Sequence, residues 1–528
     1  MLLRFSHYNL QKIFVSALSG LLLTMSFPKA GLFWIAFTAF IPFFFVIKDT
    51  TPKQSGFYGM IFGLSHFFSL LSWMIYTLNT YGFLPLFLCI PILFLLAFYL
   101  SLYTAAFAWL IVRFFKTRFA FIFAAPALWI TLEYIRAHAL TGFPWEITGY
   151  SQYRFLHLIQ LSDIMGVYGV SFVILTVNTA LFTVLLFSFN KEWHGQKITG
   201  KTVAPIIIVT ALIFLSAIIY GQKRLNDVTA LSQKNNKTTI SVIQGNIDQS
   251  LKWKKEYQLK TIDKYIDLSG QASLNNPDLV VWPETAAPFY YLYNQNLTNR
   301  IIESVDQTKA AHLIGSPSFK RKNKSFVFFN SAFLTTPEGV TEDKYNKVHL
   351  VPFGEYVPMK KFLPFIKKMT EQSGNFLPGE KGKILAYRNL RIGVQICFEV
   401  VFPDLTRAAV NNGANIIINM TNDAWFGKKS APFQHFSMVV FRAVENRRAV
   451  ARAANTGISG FIDPAGRIIA QTDLFKDAHL TEKLPIFNKI SFYTKYGDLF
   501  VGLCLLLIIG TFLSDKFLLN KLFTYTER

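Results

Sequence analysis

The sequence contains few cysteines, three in 528 residues. Cys89 and Cys504 lie in apolar segments, where a thiol behaves as a small hydrophobic group. Cys397 is alone in the polar part of the chain, which excludes a disulfide within that part and leaves the redox compartment open. The clustered His, Cys and Asp spacing of a metal site is also missing. We therefore expect no metal and no organic cofactor.

Acidic residues are few as well. The chain has 31 Asp and Glu against 53 Lys and Arg, a formal net charge of +22. A nucleic-acid-binding protein would gather such an excess in one arm or on one face, and the sequence has no such cluster. The cations instead flank apolar segments, which is typical of loops that face anionic lipid. The sequence predicts a lipid bilayer, and not a nucleic acid, as its partner.

Long polar stretches are missing from the first 220 residues and from a segment near residue 500. A membrane-spanning helix needs about 20 mainly apolar residues. On this criterion we predict eight spans, at roughly 11–27, 31–47, 55–77, 84–112, 119–136, 165–189, 203–221 and 497–514. The predicted architecture is a multi-span α-helical membrane bundle with a soluble insert. Its domains are 1–221 with about seven spans, 222–490, and 491–528 with the last span and a cytoplasmic tail.

The orientation of the bundle follows from Lys and Arg in the short loops. Basic residues at Lys48 and Lys53, in 113–118, in 191–201 and in the C-terminal tail fall on one side if the N-terminus is cytoplasmic. The insert is then extracytoplasmic. Residues 1–27 also resemble a signal peptide, an alternative that leaves the rest of the topology unchanged.

The insert alternates short β-rich runs with helical patterns, which predicts a layered α/β domain. Strands are expected at 239–246, 278–283, 311–316, 325–330, 391–397, 414–420 and 457–463. Helices are expected at 256–274, 296–310, 402–412 and 433–454.

Three polar residues lie at strand ends in this pattern, where an α/β sheet presents catalytic groups. They are Glu284, Lys347 and Cys397. A thiol nucleophile needs a base to take its proton, and its tetrahedral intermediate needs donors for the oxyanion. Glu355 and Glu399 are further carboxylates able to position the lysine or a substrate amine. Taken singly, each residue has a structural alternative as a buried core thiol, a cap or a surface charge.

The order and context of these residues resemble a known family. Trp282-Pro-Glu284, Lys347 with the run 349–355, and Ile396-Cys397-Phe-Glu399 resemble the Glu-Lys-Cys signature of the nitrilase (carbon–nitrogen hydrolase) superfamily. Five further motifs resemble the apolipoprotein N-acyltransferase family within it, whose eight-span frame also matches: Gln244-Gly-Asn246, the run 249–253, Tyr345-Asn-Lys347, the run 352–358 and Thr421-Asn-Asp-Ala-Trp-Phe-Gly427. The resemblance implies an αββα sandwich for the insert.

Carried over residue by residue, the resemblance implies Glu284 as general base, Lys347 as oxyanion stabiliser and Cys397 as nucleophile. Glu355 is expected to support the lysine and Glu399 the surroundings of the thiol. The candidates for contact with the acyl chain or lipoprotein are Trp253, Phe398 and Trp425. Phe398 departs from the family, which often has Tyr there, so a role for that hydroxyl is in doubt and aromatic packing remains.

The family implies transfer of an acyl chain from a membrane phospholipid to a diacylated apolipoprotein through a thioester. It also implies an inner-membrane location with the catalytic domain in the periplasm, and nothing requires more than a monomer. One alternative is a membrane-tethered amidase or nitrilase that uses water, although such an enzyme needs at most one anchor. The other is a non-catalytic scaffold, which the presence of Glu284, Lys347 and Cys397 disfavours.

Overall fold

The computed structural model describes residues 9–322, 325–356 and 376–526, with the backbone alone described at 118–119 and 517–526. The chain divides into two compact units. One comprises Met1–Lys223 with Asp498–Arg528, and the other comprises Arg224–Gly497.

The first unit is helical. Five of its helices are long and apolar enough to cross a membrane by length and composition: Leu86–Phe114, Ala120–His138, Ser162–Ser188, Gly200–Lys234 and Leu499–Lys516. The pair Pro52–Leu70 and Trp73–Thr80, bent by 54°, makes a sixth if it is one span. The first two predicted spans coincide with shorter apolar helices, so eight spans remain a prediction. The α-helices are α1 Leu10–Met25, α2 Ile41–Ile47, α3 Pro52–Leu70, α4 Trp73–Thr80, α5 Leu86–Phe114, α6 Arg118–His138, α7 Leu156–Ile159, α8 Ser162–Ser188, α9 Gly200–Lys234 and α15 Leu499–Thr526.

Small residues allow α3 and α5 to pack closely. A Cβ added at Gly59 would lie 2.6 Å from the Thr104 carbonyl oxygen, and one at Gly63 would lie 2.1 Å from Thr104 Oγ1. Helix backbones approach this closely in membranes mainly where such residues line the interface. The N-terminus of α3 is fixed by a capping box between Thr51 and Gln54.

Glu133 is the acidic residue inside the predicted fifth span, and one of its two carboxyl oxygens is held by hydrogen bonds from Thr148. Its Oε1 atom accepts from Thr148 N at 2.7 Å and from Thr148 Oγ1 at 2.6 Å. Thr148 begins a 3₁₀ helix, Thr148–Gln152, in the loop after α6. An ionisable group inside a membrane bundle is tolerated when it faces such partners.

The second unit contains two mixed six-stranded sheets in the described part of the chain. The first has the order β14-β3-β4-β5-β6-β7 and the second has the order β13-β12-β11-β10-β9-β8. The pairs β3–β4, β4–β5, β9–β10 and β10–β11 are parallel, and the others are antiparallel. The strands are β3 Lys237–Gln244, β4 Leu279–Val281, β5 Ala311–Lys322, β6 Ser325–Thr335, β7 Thr341–Asn346, β8 Ile384–Tyr387, β9 Leu390–Ile396, β10 Ile416–Thr421, β11 Val450–Ala454, β12 Gly460–Ile462, β13 Ile468–Gln471 and β14 Ala478–Pro485; the short hairpin β1 Glu192–Trp193 and β2 Gln196–Lys197 belongs to the helical unit.

The α-helices of the second unit are α10 Lys255–Ser273, α11 Gln295–Thr308, α12 Pro403–Asn411, α13 Ala431–Asn446 and α14 Phe492–Tyr496. Side chains alternate across each strand and so build two cores. Ile240 and Val242 face a core shared with Ile392 and Ile418 of the other sheet. Their neighbour Ile243 packs instead with residues of the α10–α11 layer such as Ile262 and Val305. This is the αββα arrangement that the resemblance implied.

One helix prediction was wrong at its C-terminal end. The helical pattern at 433–454 covers α13, which ends at Asn446, and β11, which begins at Val450. Arg447 caps the helix in the left-handed conformation at φ 51°, which turns the chain into the sheet. Because β11 is a fully buried central strand, its sequence Val-Ala-Arg-Ala-Ala shows no alternation of apolar and polar residues and cannot be told from buried helix.

Candidate active site

Cys397 sits at a sharp turn after β9. The strand ends at Ile396, Cys397 has a left-handed φ of 54°, and the 3₁₀ helix Cys397–Val401 begins there. A residue with a side chain in this region costs about 1–3 kcal/mol and persists only where its surroundings enforce it. The predicted nucleophile therefore occupies a strained position, as functional residues often do.

Glu284 follows β4 and the Trp282-Pro283 pair, and its carboxylate is fixed by two hydrogen bonds and one ion pair. Oε1 accepts from Asn330 Nδ2 at 2.8 Å and lies 3.5 Å from Lys347 Nζ. Oε2 accepts from the backbone N–H of Asn422 at 3.0 Å. The predicted base is therefore buried, oriented and paired with the predicted cation.

Lys347 directly follows β7 and is 1% exposed. Its Nζ atom donates to Glu355 Oε1 at 3.0 Å and lies 2.9 Å from Oε2 of the same carboxylate. Burial lowers the pKa of Lys347, but Glu355 and then Glu284 outweigh it and raise this pKa above its usual range. The ammonium is consequently charged at neutral pH, as an oxyanion stabiliser must be.

The two supporting carboxylates bind different groups. Glu355 accepts from Asn330 Nδ2 at 2.9 Å and from the backbone N–H of Val351 at 2.9 Å. Glu399 accepts from the backbone N–H groups of Ile396, Val348 and His349 at 2.6, 2.5 and 3.1 Å and from Tyr345 Oη at 2.9 Å. Glu399 therefore fastens the Cys397 turn to the segment that follows Lys347.

Burial raises the pKa of the Cys397 thiol, and the Glu284 carboxylate raises it further, while Lys347 opposes both. The thiol is therefore protonated at rest, and its activation requires a base beside it. Lys347 lies 3.5 Å from Glu284, and Glu399 accepts from the backbone at Ile396 beside Cys397 and at Val348 beside Lys347, so the structure brings the three predicted groups into one site. No set of three or more metal-ligating side chains occurs among the described residues of the chain.

A second buried lysine belongs to this site and was not predicted. Lys252 is fully buried, and its Nζ atom donates to the Glu284 carbonyl oxygen at 3.1 Å and to Thr285 Oγ1 at 2.7 Å. Thr285 is β-branched yet has a left-handed φ of 49°, so this clamp holds a strained turn next to the base. The run 249–253 contains Lys252, but nothing in its composition distinguishes it from a surface lysine.

A buried polar network lies behind Cys397. His435 Nε2 is 3.2 Å from the Cys397 carbonyl oxygen, and His435 Nδ1 is 3.0 Å from Asp423 Oδ1. Arg452 Nη2 donates to Asp423 Oδ2 at 2.7 Å, and Thr421 Oγ1 donates to Oδ1 at 3.0 Å. Burial raises the pKa of Asp423, but Arg452 and His435 outweigh it and lower that pKa to about 2. The Asp423 carboxylate is therefore ionised at neutral pH.

The aromatic candidates lie at different depths. Trp253 is 49% exposed and Trp425 is 38% exposed, so both reach the surface. Phe398 is partly buried, and its ring centroid lies 5.2 Å from that of Phe402 and 6.1 Å from that of His349. Substrate contact at these three positions remains a prediction.

Known proteins resemble this chain over most of its length. The chain matches the model of the apolipoprotein N-acyltransferase N-terminal domain over residues 19–180 and the carbon-nitrogen hydrolase model over residues 239–485. The apolipoprotein N-acyltransferase of Geobacter metallireducens is 41% identical over 93% of this chain and 92% of its own length. That of Pasteurella multocida is 30% identical over 94% of each chain. A solved amidase from Nesterenkonia sp. is 20% identical, with a TM-score of 0.38 over 50% of this chain and 95% of its own.

Proposed function

The chain belongs to the apolipoprotein N-acyltransferase family, and from this we propose that it moves a fatty acyl chain from a membrane phospholipid to the α-amine of an S-diacylglyceryl cysteine at a lipoprotein N-terminus. It is an acyltransferase of the carbon–nitrogen hydrolase superfamily. The observation that carries the proposal is Lys347, whose buried ammonium lies 3.5 Å from Glu284 and 2.9 Å from Glu355 in the site of the strained Cys397. This arrangement provides a base, an electrophilic donor and a nucleophile for acyl transfer.

In the first half-reaction Glu284 takes the thiol proton and Cys397 Sγ attacks the ester carbonyl carbon of the phospholipid. The carbonyl electrons move to oxygen, where the Lys347 ammonium stabilises the oxyanion. The intermediate then collapses, the carbon–oxygen ester bond breaks and the glycerol oxygen leaves. Glu284 returns its proton to that oxygen, which releases lysophospholipid and leaves a thioester on Cys397.

In the second half-reaction the lipoprotein amine attacks the thioester carbon. Glu284 accepts a proton from the nitrogen, the carbon–sulfur bond breaks, and the proton passes to the departing thiolate. The products are an amide at the lipoprotein N-terminus and the free Cys397 thiol. A thioester suits this exchange because it is activated towards amines.

The setting of the reaction is part of the proposal. Apolar helices in the unit Met1–Lys223 support a membrane protein. Because the basic loops favour the cytoplasmic side, we place the unit Arg224–Gly497 on the periplasmic face of the inner membrane, as a monomer.

Intact-mass spectrometry of the full-length protein and its Cys397→Ala variant after incubation with phospholipid tests the mechanism. The expected result is the gain of one fatty-acyl mass on the wild type alone, discharged by a diacylated lipopeptide and only slowly by water. No adduct on folded wild-type protein would overturn the thioester mechanism. Rapid loss of the adduct to water alone would identify a hydrolase instead.

A further inference from the structure

An aromatic strip leads away from the catalytic carboxylates along β6. Side chains two residues apart on a strand share a face, so Phe326, Phe328 and Asn330 lie on one face of β6. Asn330 is the residue whose Nδ2 atom donates to both Glu284 and Glu355, at 2.8 and 2.9 Å. The strip therefore begins at the site and extends four residues, about 13 Å, towards the paired strand ends at Lys322 and Ser325.

The neighbouring strand widens this strip. Phe319 of β5 is paired with Phe328, so its ring lies on the same face, 6.4 Å from Phe328 and 5.3 Å from Phe326. Tyr290 and Tyr293 add rings 5.0 and 4.1 Å from that of Phe319. The five aromatic rings thus form one connected surface, which we call the aromatic strip and define as Tyr290, Tyr293, Phe319, Phe326 and Phe328.

The aromatic strip is accessible at its outer end. Phe326 is 57% exposed and Tyr293 is 61% exposed, whereas Phe319 and Phe328 are partly buried. A contiguous exposed apolar surface of this kind generally marks a site for a partner or ligand. The sequence from 310 to 335, which includes β5 and β6, contains no Asp or Glu and includes Lys320, Arg321 and Lys322.

We propose that the aromatic strip binds the hydrocarbon chain of the acyl group that is transferred to Cys397. The inference rests on the proposed function and adds a subsite to it. Continuity decides the occupant: a chain whose carbonyl carbon lies at Cys397, beside Glu284 and Lys347, continues past Asn330 onto Phe328 and then onto Phe326. A long chain reaches the exposed end of the strip, and a short chain does not.

The test compares acyl donors of two lengths on the full-length protein in detergent. Single-turnover thioester formation is followed by intact mass with dipalmitoyl and with dihexanoyl phospholipid. The variants are Phe326→Ala and Tyr293→Ala at the outer end of the strip. The matched control is Ile469→Ala, which truncates an apolar side chain 42% exposed on β13 of the other sheet.

Loss of apolar contact with one aromatic side chain predicts a roughly tenfold fall in the palmitoyl rate of the strip variants. We expect the strip variants to react with dihexanoyl phospholipid at the wild-type rate. We expect Ile469→Ala to react with both donors at the wild-type rates. Equal falls for both donors would overturn the subsite, because the variants then act through the fold. The same rates are measured in phospholipid vesicles. A fall in the palmitoyl rate that occurs only in vesicles would overturn the subsite, because it would show that the strip contacts the bilayer. An unchanged palmitoyl rate in both settings would overturn it as well.

Failure of the proposed function has a different signature. It would appear as wild-type protein that forms no thioester with either donor, although iodoacetamide still alkylates Cys397. The chain-length comparison has meaning only where the wild type is acylated, so the two failures are separable.

Discussion

The imidazole Nε2 atom of His435 lies 3.2 Å from the carbonyl oxygen of Cys397. A carbonyl oxygen only accepts, so Nε2 must carry the proton and donate. Nδ1 lies 3.1 Å from Arg452 Nη2 and 3.0 Å from Asp423 Oδ1, so the Arg452–Asp423 ion pair fixes the other edge of the ring. Burial, followed by the charge of Arg452, lowers the pKa of His435, and the charge of Asp423 opposes this shift. His435 is thus a positioning residue that holds the left-handed backbone of the nucleophile.

Replacing His435 by Ala is predicted to slow acylation of Cys397 about tenfold, because the carbonyl loses its buried donor at a cost of about 1–2 kcal/mol. His435→Gln keeps an N–H near the position of Nε2 and should restore most of the rate. Single-turnover thioester formation by intact mass is the measurement, with thermal unfolding as the control for folding. Equal losses in the Ala and Gln variants would refute the positioning role.

Lys347 and Glu355 should show strong energetic coupling. Lys347→Met leaves the buried carboxylate of Glu284 and the partly buried one of Glu355 without their cation, a loss of about 3–5 kcal/mol in the free energy of unfolding. Glu355→Gln weakens the pair that Glu355 forms with Lys347. The double variant removes both charges of the closer pair, so it should be more stable than Lys347→Met while still forming no thioester. Thermal unfolding in detergent and intact mass report the two effects. Additive destabilisation would contradict the pairing.

These residues also show which parts of the site can be predicted from the sequence. Glu284, Lys347 and Cys397 were predicted because each ends a strand and matches a motif. The sequence does not predict the roles of Lys252, Asn330 and His435, because these roles arise from contacts between residues that are far apart in sequence. Asn330 and Glu284, for example, are 46 positions apart. A buried lysine and a surface lysine are identical as letters, and only the fold separates them.

The fold shows the same limit. The strands β3, β4, β9 and β10 were predicted from apolar runs that are buried on both faces. The sequence does not predict strands β7 and β13. The sequence of β7, Thr-Glu-Asp-Lys-Tyr-Asn, is mostly polar and β13 has only four residues, so neither shows the hydrophobic pattern of a strand. Both form through antiparallel pairing with a neighbour, which is a tertiary contact that local composition does not encode.

Lys252 predicts a pH-dependent stability. Burial lowers its pKa to about 8 from the ordinary 10.5, although Glu284 and Cys397 oppose the shift. Between these two values the unfolded chain retains a proton that the folded chain has released. This group therefore destabilises the folded state below about pH 8, and its penalty disappears as the pH rises to about 10.5.

The comparison is between the thermal midpoints of the wild type and Lys252→Met at about pH 7 and about pH 10. The thermal midpoint of the wild type, measured relative to that of the variant, should be higher at about pH 10 than at about pH 7. Because the clamp on the Thr285 turn is lost, the variant should also acylate Cys397 more slowly at both pH values. A constant difference in midpoint would show that Lys252 does not titrate in this window.

A substitution at Gly457 tests the polar network behind Cys397 without replacing any of its polar side chains. A Cβ at this position would lie 2.3 Å from Asp423 Oδ2 and 2.8 Å from Asp423 Cβ. The Oδ2 atom already accepts from Arg452 at 2.7 Å and both side chains are fully buried, so the carboxylate can yield only by losing this bond. Gly457→Ala should therefore destabilise the protein by about 1–3 kcal/mol and slow acylation of Cys397.

Gly270 is the matched control, since it is an exposed glycine inside α10 and a Cβ there meets no atom within 4 Å. Gly270→Ala should raise stability by about 0.5–1 kcal/mol through helix propensity alone and leave acylation unchanged. If Gly457→Ala behaves like Gly270→Ala in thermal unfolding and in single-turnover acylation, the Asp423 carboxylate is free to move. Displacement of Asp423 would then be compatible with catalysis, and the network would not be what fixes the Cys397 turn.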